Sequence, residues 1–221
     1  MELKEKIEKT KEFVKEELGE ETTGHDYYHS LQVYKNAKLI LKDQEADEEI
    51  VLLACLLHDI GDWKLHGAKT AKQKEVKEFL ENIDVTKEKI EEIRHIIEHL
   101  AYKGPKEKQV KLSIEGQVVQ DADRLEALGA TGIARAFATG QKFGQPIHDP
   151  KINPSREYTK EEYEKQYTGE RKNTTINHFY EKLLLIKDQI NTPSAKEIAL
   201  KRHEFMEHFL KQFFEEWEGK K

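Results

Sequence analysis

The feature that most constrains the fold is an apolar run that ends in two ionisable side chains. Residues 50–57 read IVLLACLL, and His58 and Asp59 follow with no turn residue between them. The run is long enough to form the buried part of a helix, whereas burial of an uncompensated imidazole and carboxylate costs several kcal/mol. The pair therefore either caps a helix at the surface or binds a group that compensates both side chains, as a divalent cation would.

The composition limits the class of protein. A length of 221 residues suffices for one sizeable core, so we expect a single domain over residues 1–221. Acidic residues outnumber basic ones by 43 to 37 without a concentrated Lys/Arg block, which disfavours a polynucleotide partner. No stretch approaches the roughly 18 apolar residues of a membrane span. We expect a soluble cytoplasmic protein in which Cys55, the one cysteine, is a buried apolar residue.

Hydrophobic periodicity predicts an all-α fold. Asp26 and Asp47 are predicted N-caps, and a break is expected near Gly129 and Gly132. Residues 110–114 alternate well enough to permit one short strand. The predicted helices span residues 2–18, 26–41, 47–57, 69–82, 86–102, 118–137, 175–188 and 194–217.

Residues 144–173 have no hydrophobic period. Three of the five prolines fall there, and such a length is unusual for a connection inside a compact domain. Long connections of this kind are often functional. We therefore predict that this segment is a lid or a substrate wall.

Further residues can complete a metal site with the His-Asp pair. His29 falls in the first turn of the helix that Asp26 caps, and two acids, Asp121 and Asp123, lie inside an apolar helix. Two imidazoles and two carboxylates form a mixed nitrogen and oxygen set suited to Mn, Fe, Co, Ni, Mg or Zn. On this argument alone, Asp121 and Asp123 are both candidates.

The order of these motifs resembles that of the HD-domain metal-dependent phosphohydrolase superfamily, and within it the small stand-alone bacterial HD hydrolases. The resemblance is carried by GHDYYHSLQVYKNA, LLHDIGDWKLHG, DADRLEALGATGIARAF, NHFYEKL and NTPSAKEIALKRHEFMEHFL, and it covers the chain from about Gly24 to Trp217. It implies a single HD-domain helical bundle built around a metal site. The metal-binding part would span about residues 24–130, and closing helices would span residues 175–217.

The resemblance also implies individual roles. The family motif A-D-R-L places a ligand immediately before the arginine, which favours Asp123 and leaves Asp121 as the fallback. Several HD hydrolases use an acidic residue three positions after the HD pair to handle the proton, and Asp62 occupies that place, as aspartate where some relatives carry glutamate. The implied metal ligands are His29, His58, Asp59 and Asp123.

This set implies hydrolysis of a phosphate ester or anhydride, with a nucleotide as the expected small-molecule substrate. A divalent ion lowers the pKa of bound water and polarises a phosphoryl oxygen, and a nearby carboxylate can carry the proton. The negative substrate needs cationic partners, and Arg124, next to a ligand, is the first choice. For each candidate, a solvated charge or a structural salt bridge is the alternative role. The candidates are Lys64, Lys103, Arg124 and Arg135.

Three alternatives stay open. His95, Glu98 and His99 spell H-x-x-E-H, a zinc-peptidase motif, but that interpretation leaves the HD motifs unexplained. An HD protein could also bind a nucleotide or a partner protein without turnover. Hydrolysis of guanosine alarmones is disfavoured because HDIGDW departs from the H-D-x-x-E-D pattern at the glutamate.

Overall fold

The structure of this protein is a computed structural model, and it describes residues 1–19, 26–60, 69–100, 110–155, 165, 170 and 172–220; for residues 69–73 only the backbone is described. In these ranges the chain forms helices and connections without a strand, so the all-α prediction is confirmed. The α-helices are α1 (Leu3–Leu18), α2 (Tyr27–Ile40), α3 (Glu48–Leu57), α4 (Lys69–Asn82), α5 (Lys87–His99), α6 (Ile114–Glu126), α7 (Gly129–Lys142), α8 (Thr175–Glu181) and α9 (Pro193–Trp217), with a 3-10 helix at Leu183–Gln189.

Side chains cap the starts of α2 and α3, as the sequence predicts. The Asp26 carboxylate accepts a hydrogen bond from the backbone N–H of His29, and Asp47 accepts from the N–H groups of Glu49 and Ile50. These bonds satisfy amide groups that have no partner inside the helix. Both predicted N-caps are confirmed.

Two local expectations differ from the structure. Residues 110–113 form no strand, because Ser113 Oγ accepts a hydrogen bond from Gly116 N at 3.2 Å and begins α6. The helix expected over residues 175–188 breaks at Lys182, where φ is −137°, and continues as the 3-10 helix. Its buried residues, Leu183 and Ile186, are three apart, which is the spacing that a 3-10 helix places on one side.

The predicted break after the Asp-containing helix lies at Gly129. Its φ is +75°, a left-handed conformation that glycine adopts without steric cost. A Cβ atom there would also lie 3.2 Å from Arg202 Cγ. Gly132, near which the sequence also predicts a helix break, lies inside α7.

The described residues form two compact units, one up to Asp123 and one from Arg124 onward. In the first unit, α3 contacts α1, α2 and α5, and every side chain over residues 51–57 is buried. In the second unit, α9 contacts α7 and the 3-10 helix, and α8 contacts α7. The organisation as a single domain over residues 1–221 stays a prediction.

Among the described helices, none is both long enough and apolar enough to cross a bilayer.

Candidate metal centre

Two helices of the first unit bring two imidazoles and a carboxylate together. His29 lies in the first turn of α2, while His58 and Asp59 directly follow α3. The two Nε2 atoms are 3.1 Å apart, and Asp59 Oδ2 lies 3.3 Å from that of His29 and 3.4 Å from that of His58. All three side chains are buried, so their polar atoms face one another rather than water.

These separations fit ligands of one ion. Donors that bind an ion at about 2.1 Å lie about 3.0 Å apart in an octahedron and about 3.4 Å apart in a tetrahedron. The three observed distances, 3.1, 3.3 and 3.4 Å, lie close to these values. The cluster of His29, His58 and Asp59 could therefore hold a divalent metal ion, and its mixed donors do not select one metal.

Asp123 approaches the same imidazoles from α6. Its Oδ1 atom lies 3.5 Å from His29 Nε2 and 3.9 Å from His58 Nε2. The Asp123 side chain is 35% exposed, against 7% for Asp59, so it is the outermost of the four. Asp121 is fully buried on the same helix and lies about 200° around the helix axis from Asp123. The two acids cannot both face the imidazoles, and Asp123 is the one that does.

The orientation of His58 is set by the end of its own helix. His58 Nδ1 lies 2.8 Å from the backbone carbonyl oxygen of Cys55. Because a carbonyl oxygen only accepts, Nδ1 carries the proton and Nε2 carries the lone pair. The ring therefore presents a lone pair to the cluster, as a metal-binding histidine must.

Two polar side chains hold α2 in place. Asp26 Oδ1 accepts from the backbone N–H of His29 at 2.8 Å, which anchors the ligand-bearing turn. Asn36 Nδ2 donates to the carbonyl oxygen of Ala122 at 3.0 Å, one residue before Asp123. Sequence analysis did not identify Asn36. The sequence feature that could have identified Asn36 is its position: it is a polar residue at helical spacing among the buried positions of α2.

Cys55 is inert at this site. Burial raises the pKa of its thiol well above the ordinary value, and the negative charge of Asp123 adds to the increase. The thiol therefore stays protonated near neutral pH, which agrees with its expected role as a buried apolar residue.

The structure gives both predicted substrate-binding arginines a partner in the second unit. Arg124 Nη1 donates to the carbonyl oxygen of Gln189 at 2.5 Å, and Arg135 Nη2 lies 2.5 Å from Glu126 Oε2. Their roles in substrate binding stay predictions. The other predicted residues, Asp62, Lys64 and Lys103, lie outside the described residues.

The H-x-x-E-H motif lies on α5. Among the described residues, His29, His58 and Asp59 form the one group of three or more potential metal ligands whose ligand atoms all lie within 4.8 Å of one another. His95 and His99 belong to no such group. No described acidic residue thus joins His95 and His99 as the third ligand that a zinc peptidase needs.

Residues 26–128 match the family model described as the HD domain. YpgQ of Bacillus subtilis, described as an uncharacterized protein, is 35% identical over 206 residues, which cover 93% of this chain and 90% of YpgQ. The matched range contains all four residues that meet at the cluster.

Solved structures of similar chains share the fold. A Lactobacillus plantarum protein has a TM-score of 0.82 at 35% identity, covering 96% of this chain and 97% of that chain. An HD-superfamily hydrolase from Bacillus thuringiensis has a TM-score of 0.77 at 40% identity, covering 99% and 100%. YpgQ in complex with ADP has a TM-score of 0.77 at 33% identity, covering 98% and 97%.

Proposed function

Since this chain belongs to the HD-domain superfamily, we propose that it is a metal-dependent phosphohydrolase that hydrolyses phosphate ester or anhydride bonds of nucleotides. The observation that carries the proposal is the convergence of His29 Nε2, His58 Nε2 and Asp59 Oδ2 within 3.4 Å of one another. The HD-superfamily hydrolase from Bacillus thuringiensis supports a hydrolase, and the complex of YpgQ with ADP supports a nucleotide ligand.

The metal would be held by His29, His58, Asp59 and Asp123. When bound, a divalent ion supplies an acidified water and polarises a phosphoryl oxygen. The chain supplies the orientation, because the Nδ1 proton of His58 is engaged by the Cys55 carbonyl and Asp26 anchors the turn of His29. Asp123, the most exposed of the four, would border the side from which the substrate arrives.

The remaining roles rest on the family resemblance and on charge. Asp62 would transfer the proton. Arg124 would contact the phosphate, and its hydrogen bond to Gln189 is compatible with this, because a guanidinium carries five N–H donors. The further phosphate partners in this proposal are Lys64, Lys103 and Arg135.

The test is hydrolysis of nucleoside mono-, di- and triphosphates by metal-stripped protein to which Mn, Mg, Co, Ni or Zn is returned. Phosphate and pyrophosphate are measured separately, so that terminal cleavage is distinguished from cleavage between the α and β phosphates. We expect metal-dependent release by the wild type and its loss in Asp123→Ala and His58→Ala.

Glu98→Gln is the matched control, since the change is isosteric and affects only the glutamate of the H-x-x-E-H motif. We expect phosphate release to be unchanged, whereas the peptidase interpretation requires that a protease activity disappear in this variant. The enzymatic proposal would be wrong if the protein bound metal through Asp123 and bound nucleotides but hydrolysed none of them. That result would favour a nucleotide-binding HD protein without turnover.

A further inference from the structure

Helix α5 carries a histidine pair that the proposed function does not use. His95 and His99 are four residues apart, their ring centroids are 4.4 Å apart, and the ring planes are inclined by 37°. Residues four apart lie on the same side of a helix. The apolar side of α5 is buried through Ile90, Ile93 and Ile96, whereas His95 is exposed and His99 is half-buried. Water and dissolved ions therefore reach the pair.

The backbone fixes the proton of one of these rings. His99 Nδ1 lies 2.9 Å from the carbonyl oxygen of His95. The carbonyl can only accept, so the proton sits on His99 Nδ1 and the lone pair on Nε2. This is the arrangement that orients metal-binding histidines, in which the second ring nitrogen donates to a backbone carbonyl.

We propose that His95 and His99 form a second metal site, a two-imidazole chelate for Ni(II), Cu(II) and Zn(II). Two histidines four residues apart on one helix side are a known pattern for binding such ions. Neither histidine belongs to the cluster of His29, His58 and Asp59, and no described acidic residue joins the pair within ligand distance. Among the described residues, the protein donors of the site are thus nitrogen only, and water would complete the coordination.

This donor set predicts a selectivity that differs from that of the first cluster. Imidazole nitrogen suits Ni, Cu and Zn, whereas Mg and Mn prefer carboxylate oxygen and water. Mn(II) should therefore bind only where carboxylates take part, at the cluster that contains Asp59. Ni(II) should bind at both places.

The experiment is calorimetric titration of metal-stripped protein with NiCl₂ and, separately, with MnCl₂, with equilibrium dialysis to count bound ions. We expect one more equivalent of Ni(II) than of Mn(II). His95→Gln and His99→Gln should each lower the affinity of the additional Ni(II) site at least about tenfold. Loss of a residue that only orients a metal ligand already lowers metal affinity about tenfold or more, and these variants remove a ligand itself. Mn(II) binding should not change in either variant.

His208→Gln is the matched control, because His208 is exposed on α9 and has no histidine four residues away. It should retain every Ni(II) equivalent. Equal stoichiometries for Ni(II) and Mn(II) in the wild type would overturn the inference, as would an additional Ni(II) step that survives both α5 variants. Because the readout is binding, it does not depend on phosphohydrolase activity. If the cluster of His29, His58 and Asp59 binds no metal, Ni(II) should still bind at the histidine pair of α5. His95→Gln and His99→Gln should then remove this binding.

Discussion

His58 Nδ1 donates a hydrogen bond to the carbonyl oxygen of Cys55 over 2.8 Å. That carbonyl is one of the last four of α3, which have no partner within the helix. The same imidazole therefore satisfies a helix end and turns its Nε2 atom toward His29, 3.1 Å away. The sequence offered helix capping and metal binding as alternatives for the His-Asp pair, and this geometry makes the two compatible in one side chain.

The two acids of α6 should respond differently to substitution. Asp123→Ala should lower the affinity for Mn(II) at least about tenfold and leave the stability of the metal-free protein nearly unchanged, since its side chain is 35% exposed. Asp121→Asn should instead lower the free energy of unfolding by about 1–3 kcal/mol, because Asp121 is fully buried, and should retain metal binding. Calorimetric titration and urea unfolding measure the two quantities. The opposite pattern would make Asp121 the ligand.

Asn36 should act as a positioning residue for the metal centre. Its side chain joins α2, which carries His29, to Ala122 beside Asp123. Asn36→Ala should lower the free energy of unfolding by about 0.5–1.5 kcal/mol and weaken Mn(II) binding severalfold. Gln32→Ala, an exposed change on the same helix, should do neither. Lower stability with unchanged Mn(II) affinity would restrict Asn36 to a structural role.

The half-buried charge network of Lys6, Glu49 and Lys89 in the first unit should make stability fall in acid. Burial opposes ionisation of Glu49, but hydrogen bonds from Lys6 at 2.5 Å and Lys89 at 2.6 Å outweigh it, so the pKa of Glu49 lies below its ordinary 4.5. A carboxyl whose pKa is lower in the folded state stabilises the fold above the unfolded pKa, and this contribution disappears as the pH falls through the folded value.

Urea unfolding between about pH 7 and pH 3 should therefore show a smaller decline below about pH 4.5 in Glu49→Gln than in the wild type. At neutral pH the same variant should be the less stable of the two, because Lys6 and Lys89 lose a charged partner. Identical pH dependence in the two proteins would contradict this account.

Glu181 should anchor the segment over residues 144–173 at two points, Ser155 and Asn173. Its buried carboxylate accepts from the backbone N–H of Ser155 at 2.8 Å and from Asn173 Nδ2 at 2.9 Å. Glu181→Ala should lower the free energy of unfolding by about 1–3 kcal/mol. If residues 144–173 form a lid or substrate wall, KM for the nucleotide should rise more than kcat falls. Glu197→Ala, an exposed change on α9, is the control, and an unchanged KM in Glu181→Ala would remove that role.

The sequence by itself determined the helical class and most helix boundaries. The predicted and observed bounds of the helix over residues 69–82 coincide, and Asp26 and Asp47 cap the helices that they were expected to cap. These features depend on hydrophobic periodicity and on hydrogen bonds between residues two or three apart. Both depend on residues that are close together in the sequence, so the order of residues is enough to identify them.

Only the tertiary structure decided which groups meet. The residues alone left Asp121 and Asp123 open, because the choice depends on which side of α6 faces the histidines of other helices. Likewise, the partner of Arg124 is a carbonyl 65 residues away, and that of Asn36 is 86 residues away. Such contacts depend on how whole helices pack, and helix packing sums many weak interactions between residues far apart in the chain.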